Sequence, residues 1–298
     1  MNRSMSPRAW LLFILSSVIW GVPYLFIKVA VDGGVPPAFV AWSRVALAAV
    51  LLLPLAWSRG ALRGLRDRKL AIVGYATCEV TVPFVLIAAG EQYITSSLTA
   101  ILVASMPLMI ALLSLRLSPG DRPTGVRLVG LFIGFVGVVA LLGFDVAGRP
   151  GEMFGAMLVL VATLGYAIAP LIISRWLADL DPLGPIASSL TLAAIVLLPA
   201  ALADWPPQLP GTAALASIVV LGVICTAVGL SVFFQLIIEA GPNRASVITY
   251  VNPVVAVIFG IVVLSEQLGV MSLLGLLMIL GGSWLAMMGS PHRSDTHA

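Results

Sequence analysis

The chain has 298 residues, 60% hydrophobic and 10% charged, with a formal net charge of +3, a mean hydropathy of +1.10 and a pI near 9.1. Soluble domains carry about 25% charged residues, so this composition excludes a soluble enzyme or binding module. The basic balance does not indicate a nucleic-acid partner, because the Lys and Arg residues are scattered between apolar runs and form no patch.

Ten apolar runs of about 20 residues, each the length that crosses a hydrocarbon core of roughly 30 Å, predict ten transmembrane helices. They lie near 9–31, 36–57, 69–89, 96–115, 125–143, 152–174, 182–203, 213–237, 243–264 and 269–288, joined by short turn-forming segments such as "VDGGVPP" and "DWPPQLPG". The fold class is therefore an all-α polytopic membrane protein whose first partner is the lipid bilayer. The first run follows Arg3 and Arg8 but is too long for a signal-peptide core and lacks a convincing cleavage site.

In the first span Trp20, Tyr24 and Lys28 recur at i, i+4 and i+8, on one helix face. Pro23 lies among them and is expected to bend the helix. Two rings beneath an ammonium suit a small zwitterionic ligand; the alternative for Lys28 is snorkelling or pairing near Asp32. The second span carries Arg44. A guanidinium cannot escape burial by losing its proton, so it requires a carboxylate, helix carbonyls or an anionic substrate.

The third span contains one charge, Glu79, with Tyr75 one turn before it on the same face. A carboxylate near the centre of a span costs about 2.5–3.5 kcal/mol on insertion scales, which leaves three readings open. Glu79 is part of a structural pair, with Arg44 as a candidate partner, or it carries a coupling proton, or it contacts a substrate amine. Pro107 in the fourth span and Pro253 in the ninth mark further bends where freed carbonyls can face a ligand. Tyr166, Gln235, Tyr250 and Asn252 are additional candidates for substrate contact or for ordinary interhelical hydrogen bonding. Tyr250 and Asn252 are about 200° apart around the helix, so they face different ways. Gly130, Gly134 and Gly137 in span five, with Gly275, Gly281 and Gly282 in span ten, suit close helix packing, either within the chain or in a homodimer. Asp121 and Glu266 precede spans five and ten, where an anion complements a helix N-terminus. Cys78 and Cys225 read as small packing residues.

Thirteen of the sixteen Lys and Arg fall on the N-terminal tail, the even-numbered loops and the C-terminal tail, whereas Arg149 alone occupies the opposite loops. This bias predicts that both tails, 1–8 and 289–298, are cytoplasmic.

The chain also resembles itself. "AFVAWSRVALAAVLLLPLA" (38–56) aligns with "LGPIASSLTLAAIVLLPAA" (183–201) at an offset of 145, and Pro107 aligns with Pro253 at 146. Trp20 falls on Tyr166, Arg44 on Ser189, Cys78 on Cys225 and Glu79 on Thr226. The expected domains are thus two five-helix repeats, 9–143 and 152–288. Because five is odd, they enter the membrane in opposite senses, the architecture typical of secondary transporters.

The segments "IWGVPYLFIKVA" (19–30), "AWSRVALAA" (41–49) and "ASVITYVNPVVAVIFGIVVLSEQLG" (245–269) resemble the drug/metabolite transporter superfamily and, within it, the EamA-type ten-helix exporters. That resemblance implies carriage of amino acids, drugs or other small metabolites, usually outward across a bacterial inner membrane. It also implies an arginine in span two, and assigns no role to Glu79. The leading expectation is export by alternating access, with proton-coupled drug efflux as the alternative. A channel-like facilitator lacks a ring of charges. An intramembrane enzyme lacks its motifs: there is no H-E-x-x-H, G-x-S-x-G or P-loop, and His292 and His297 lie in the tail. No cofactor or metal is expected, and the protein is expected to be a monomer or homodimer.

Overall fold

The computed structural model describes residues 5–117, 125–146 and 148–287. Among them every regular element is helical. Eight helices are long and apolar enough to cross a membrane: α1 (Pro7–Asp32), α2 (Pro37–Ser58), α3 (Leu65–Gly90), α4 (Ser96–Leu113), α6 (Pro150–Leu177), α7 (Leu183–Ala203), α8 (Thr212–Ala240) and α10 (Val270–Met287). Two are apolar but shorter, α5 (Val126–Leu141) with 16 residues and α9 (Ile248–Leu264) with 17. These ten follow the ten predicted spans in order. The C-terminal tail with its histidines, the first four residues, and Asp121 before α5 lie outside the described residues.

The helices of the two predicted halves interleave. α2 packs on α7, α4 on α9 and α5 on α10, so each pair joins helices at equivalent places in the two halves. Further contacts come in reciprocal sets: α1 on α8 with α6 on α3, α1 on α9 with α6 on α4, and α2 on α8 with α7 on α3. The α5–α10 contact is made by backbone. A Cβ placed on Gly282 would stand 2.6 Å from Gly130 O, and one on Gly137 would stand 2.8 Å from Met278 Cβ. The glycine faces are therefore occupied within one chain, as small-residue helix crossings require. Gly281 meets nothing within 4 Å and takes no part.

Several helices depart from α geometry where the sequence removes a donor. Pro23 cannot donate to Ile19 O, and α1 bends at Val22, between Gly21 and Pro23. Pro107 cannot donate to Val103 O, and α4 loosens at Ala104–Ser105 before resuming at Met106. Pro253, expected as a third bend, leaves α9 continuous from Ile248 to Leu264. In α3, Pro83 cannot donate to Glu79 O. The chain responds with a π turn over Ala76–Thr81, in which Val82 N donates five residues back to Thr77 O. A second π stretch, Val220–Val228, occupies the equivalent part of α8.

Glu266 departs from expectation. Instead of complementing the start of α10, its carboxylate accepts from Ser96 N at 2.7 Å and Ser97 N at 3.0 Å, and from the Ser97 hydroxyl. The left-handed Ser265 (φ 54°) turns the chain so that this carboxylate reaches the N-terminus of α4. The dipole logic holds, but on a helix of the other half.

Candidate functional site

A cavity of about 270 Å³ lies at the centre of the bundle, lined by residues from α1, α2, α3, α4, α6, α7, α8 and α9. Four of the departures from ideal helix border it: the Val22–Pro23 bend, the Ala104–Met106 break and the π stretches of α3 and α8. Each carries side chains or carbonyls into the space that a straight helix would direct elsewhere.

Seven of the ten candidate contact residues line this cavity: Trp20, Tyr24, Arg44, Tyr75, Glu79, Tyr166 and Asn252. Pro23, Pro107 and Pro253 line it too. Three candidates do not. Gln235 is exposed on the outer surface of α8, and Tyr250 is absent from the lining, as its angular separation from Asn252 implies. Lys28 lies beyond the cavity, where Nζ donates to Glu91 O at 2.8 Å and pairs with Asp32 Oδ1 at 2.9 Å.

Arg44 is held by its neighbours. Nε donates to Thr226 Oγ1 at 2.9 Å, and the guanidinium carbon stands 3.9 Å over the Phe84 ring. Thr226 in turn donates to Leu221 O at 2.8 Å, five residues back, in the register of the π stretch. The Arg44–Glu79 ion pair, one of the three readings left open for Glu79, is not formed within 4 Å. Phe84 and Thr226 occupy the guanidinium side, and Glu79 borders the cavity without a salt bridge. Trp20 Nε1 donates to Cys225 O at 3.2 Å, a carbonyl within the π stretch of α8. Its ring lies 4.6 Å from that of Phe233. With its amide nitrogen turned toward α1, Asn252 donates to Ser17 O at 3.2 Å and Ile248 O at 2.9 Å, tying α9 to α1.

The cavity wall thus presents four aromatic hydroxyl or indole side chains, one cation and one carboxylate that do not neutralise each other. Among the described residues no group of three or more His, Cys, Asp or Glu is arranged to hold a metal. Phe84, Ser189 and Thr249 line the cavity without having been singled out as contacts. Ser189 and Thr226 were signalled only as repeat counterparts of Arg44 and Glu79.

A family model described as the EamA-like transporter family matches residues 7–143 and again 153–288. The chain belongs to this family. It is 30% identical over 267 residues to the "Uncharacterized inner membrane transporter YedA" of Escherichia coli K12, covering 87% of this chain and 83% of that protein. It is 27% identical over 279 residues to an "Uncharacterized transporter" of Archaeoglobus fulgidus, covering 93% and 98%. A solved crystal structure aligns over 96% of this chain and 99% of its own with a TM-score of 0.66 at 18% identity, which bears on the fold alone. The protein is therefore a membrane transporter of the EamA family, and the central cavity is its candidate substrate site.

Proposed function

We propose that this EamA-family protein is a secondary transporter that exports amino acids or related small zwitterions across the bacterial inner membrane. It would work by alternating access between two inverted five-helix halves, 9–143 and 152–288, with both termini cytoplasmic. One observation carries the substrate class. Arg44 and Glu79 border the same cavity but are not paired with each other. A substrate carboxylate at Arg44 and ammonium at Glu79 would supply each charge with the partner it lacks, while Trp20, Tyr24 and Tyr166 take the apolar part. The volume of about 270 Å³ suits a single amino acid better than a large drug. The reciprocal helix contacts support rocking of two related halves about this midplane site.

The test uses purified protein in liposomes loaded with mixed amino acids, following radiolabelled uptake with and without a pH gradient. Saturable counterflow supports the carrier. Non-saturating leak would instead make it a channel. If no amino acid moves but lipophilic cations accumulate against a pH gradient, the function is proton-coupled drug efflux. The largely aromatic and aliphatic wall around one carboxylate favours that as the second reading.

A further inference from the structure

One turn beyond the cavity wall the bundle is sealed by a second buried polar layer. Ile87 and Ala100 line the cavity; Glu91 lies one turn past Ile87, and Ser96 one turn before Ala100. Glu91, Ser96, Ser97 and Thr99 are all within 1% of complete burial. Neither Glu91 carboxylate oxygen has a hydrogen-bond partner.

The reason is visible in its neighbours, whose hydrogen bonds go elsewhere or, at the buried Ser96 hydroxyl, to no partner at all. The Lys28 ammonium, the one cation facing the group from α1, bonds Asp32 and the backbone carbonyl of Glu91, not its side chain. The Thr99 hydroxyl lies close enough to interact with the carboxyl, yet it donates to Thr95 O at 3.0 Å. Ser97 N, Ser97 Oγ and Ser96 N all donate to Glu266. The remaining charges within reach are the Asp32 and Glu266 carboxylates and, from the cavity side, Arg44; Tyr24 also lies within reach. An ionised Glu91 has no hydrogen-bond donor as the layer is built; the Lys28 ammonium offsets part of its charge, and the two carboxylates beside it oppose it. A protonated Glu91 is a donor, and the Thr99 oxygen has an unused lone pair to accept from it.

We propose that Glu91 is a proton-binding site separate from the substrate cavity, and that the bound proton keeps this end of the transporter closed. Loss of the proton would place an uncompensated charge in a dry layer. Opening that end to water would relieve it. The closed state therefore binds the proton and the open state releases it, a differential affinity that couples the two events. Burial is the largest influence on the Glu91 carboxyl and pushes it well above the usual carboxylate range. The Lys28 ammonium and the Thr99 hydroxyl pull the other way, and Glu266 and Asp32 add to the rise.

This inference rests on the transporter reading only for its link to opening, so the first experiment needs no substrate. Thermal unfolding of the purified protein is followed across pH for wild type, Glu91→Gln and Glu91→Asp. For an acid whose folded pKa is raised, the stabilisation is complete below the unfolded value and is lost as pH rises through the folded value. Wild type should lose about 3 °C or more in Tm from mildly acid to mildly alkaline pH, beyond any change in Glu91→Gln. Glu91→Gln, permanently neutral, should match or exceed wild type in Tm at alkaline pH, and Glu91→Asp should keep a slope. Parallel curves for wild type and Glu91→Gln would overturn the proposal, as would a Glu91→Gln protein less stable at every pH. A Tm that responds to sodium concentration at fixed pH and not to pH would make the site a cation site and also overturn it. In liposomes with whichever substrate exchanges, wild-type exchange should rise with symmetric pH, and Glu91→Gln exchange should be slower and flat. If Glu91→Gln exchange keeps the wild-type slope, Glu91 does not govern opening even where it binds the proton.

Discussion

Arg44 donates to Thr226 at 2.9 Å, although Thr226 is the residue that the internal repeat expected from the sequence sets opposite Glu79. The cation of α2 is thus braced by a hydroxyl of α8 and not by the carboxylate of α3. This leaves Glu79 facing the cavity with no cation to neutralise it. Glu79 is expected to act on substrate or proton, not as half of a structural pair. In Glu79→Gln, the apparent KM for substrate exchange should rise, because the substrate ammonium loses its carboxylate, and accumulation driven by a pH gradient should be lost. Radiolabelled uptake in liposomes with an imposed gradient checks this, and a mutant that still accumulates would make Glu79 a scaffold residue.

Arg44→Lys keeps the charge but loses both the planar contact with Phe84 and the fixed Nε donor. A hydrogen bond to a charged group contributes about 1.5–3 kcal/mol, so the apparent KM for amino-acid exchange should rise roughly tenfold or more. Thr226→Val should have a smaller effect in the same direction, because it removes the acceptor and leaves the guanidinium in place. Concentration-dependent counterflow measures both.

Trp20→Phe keeps the ring against Phe233 but removes the donor to Cys225 O. The expected loss is about 0.5–1.5 kcal/mol of stability, read as a lower unfolding temperature in detergent. Gly229 packs against the indole, with a Cβ there 2.7 Å from Trp20 Nε1. Gly229→Ala should therefore perturb the same contact from the other side.

The α5–α10 crossing supplies a paired test within one helix. Gly282→Val inserts a branched side chain 2.6 Å from Gly130 O and should cost about 1–3 kcal/mol or more by overpacking. Gly281→Val meets open space and should leave stability within about 0.5 kcal/mol. Equal thermal shifts for the two would mean that this glycine face does not hold the pair together.

Orientation is testable with single cysteines in a Cys78→Ala, Cys225→Ser background. On whole cells, a membrane-impermeant maleimide should label Gln208→Cys, in the exposed loop between α7 and α8, and spare Ser58→Cys at the end of α2. The reverse pattern would invert the topology that the positive charges predict.

All ten helices were legible in the sequence because a span is defined by length and apolarity, and both are one-dimensional properties. Which face of a span looks inward was less legible. Lipid-facing and protein-facing surfaces are about equally apolar, so the periodicity that orients a helix in water is weak here. Trp20, Tyr24 and Glu79 were placed by helical spacing and by the cost of burying charge, and these signals survive in a membrane. Gln235 carried only polarity, and it turned outward. Glu91 escaped notice for a different reason: at the end of an apolar run a carboxylate reads as the first residue of a loop. Nothing local reveals that α1, α4 and the α9–α10 turn close over it. Glu266 shows the same limit, since its position before α10 suggested a local partner and the turn at Ser265 delivered it to α4.

The wide turn at Ala76–Thr81 has a consequence for how α3 tolerates changes in length. A π turn holds about one residue more than an α turn over the same rise. Removing a single residue from this stretch would let the helix return to ordinary winding without breaking it. The two ends of α3 would then keep their partners at Arg68–Asp179 and Lys28–Glu91 only if the helix were twisted between them. At this site the number of residues is constrained as firmly as their identity. A one-residue deletion should be far more damaging than any conservative substitution, including those at Thr77 or Cys78, whose side chains are partly or wholly exposed.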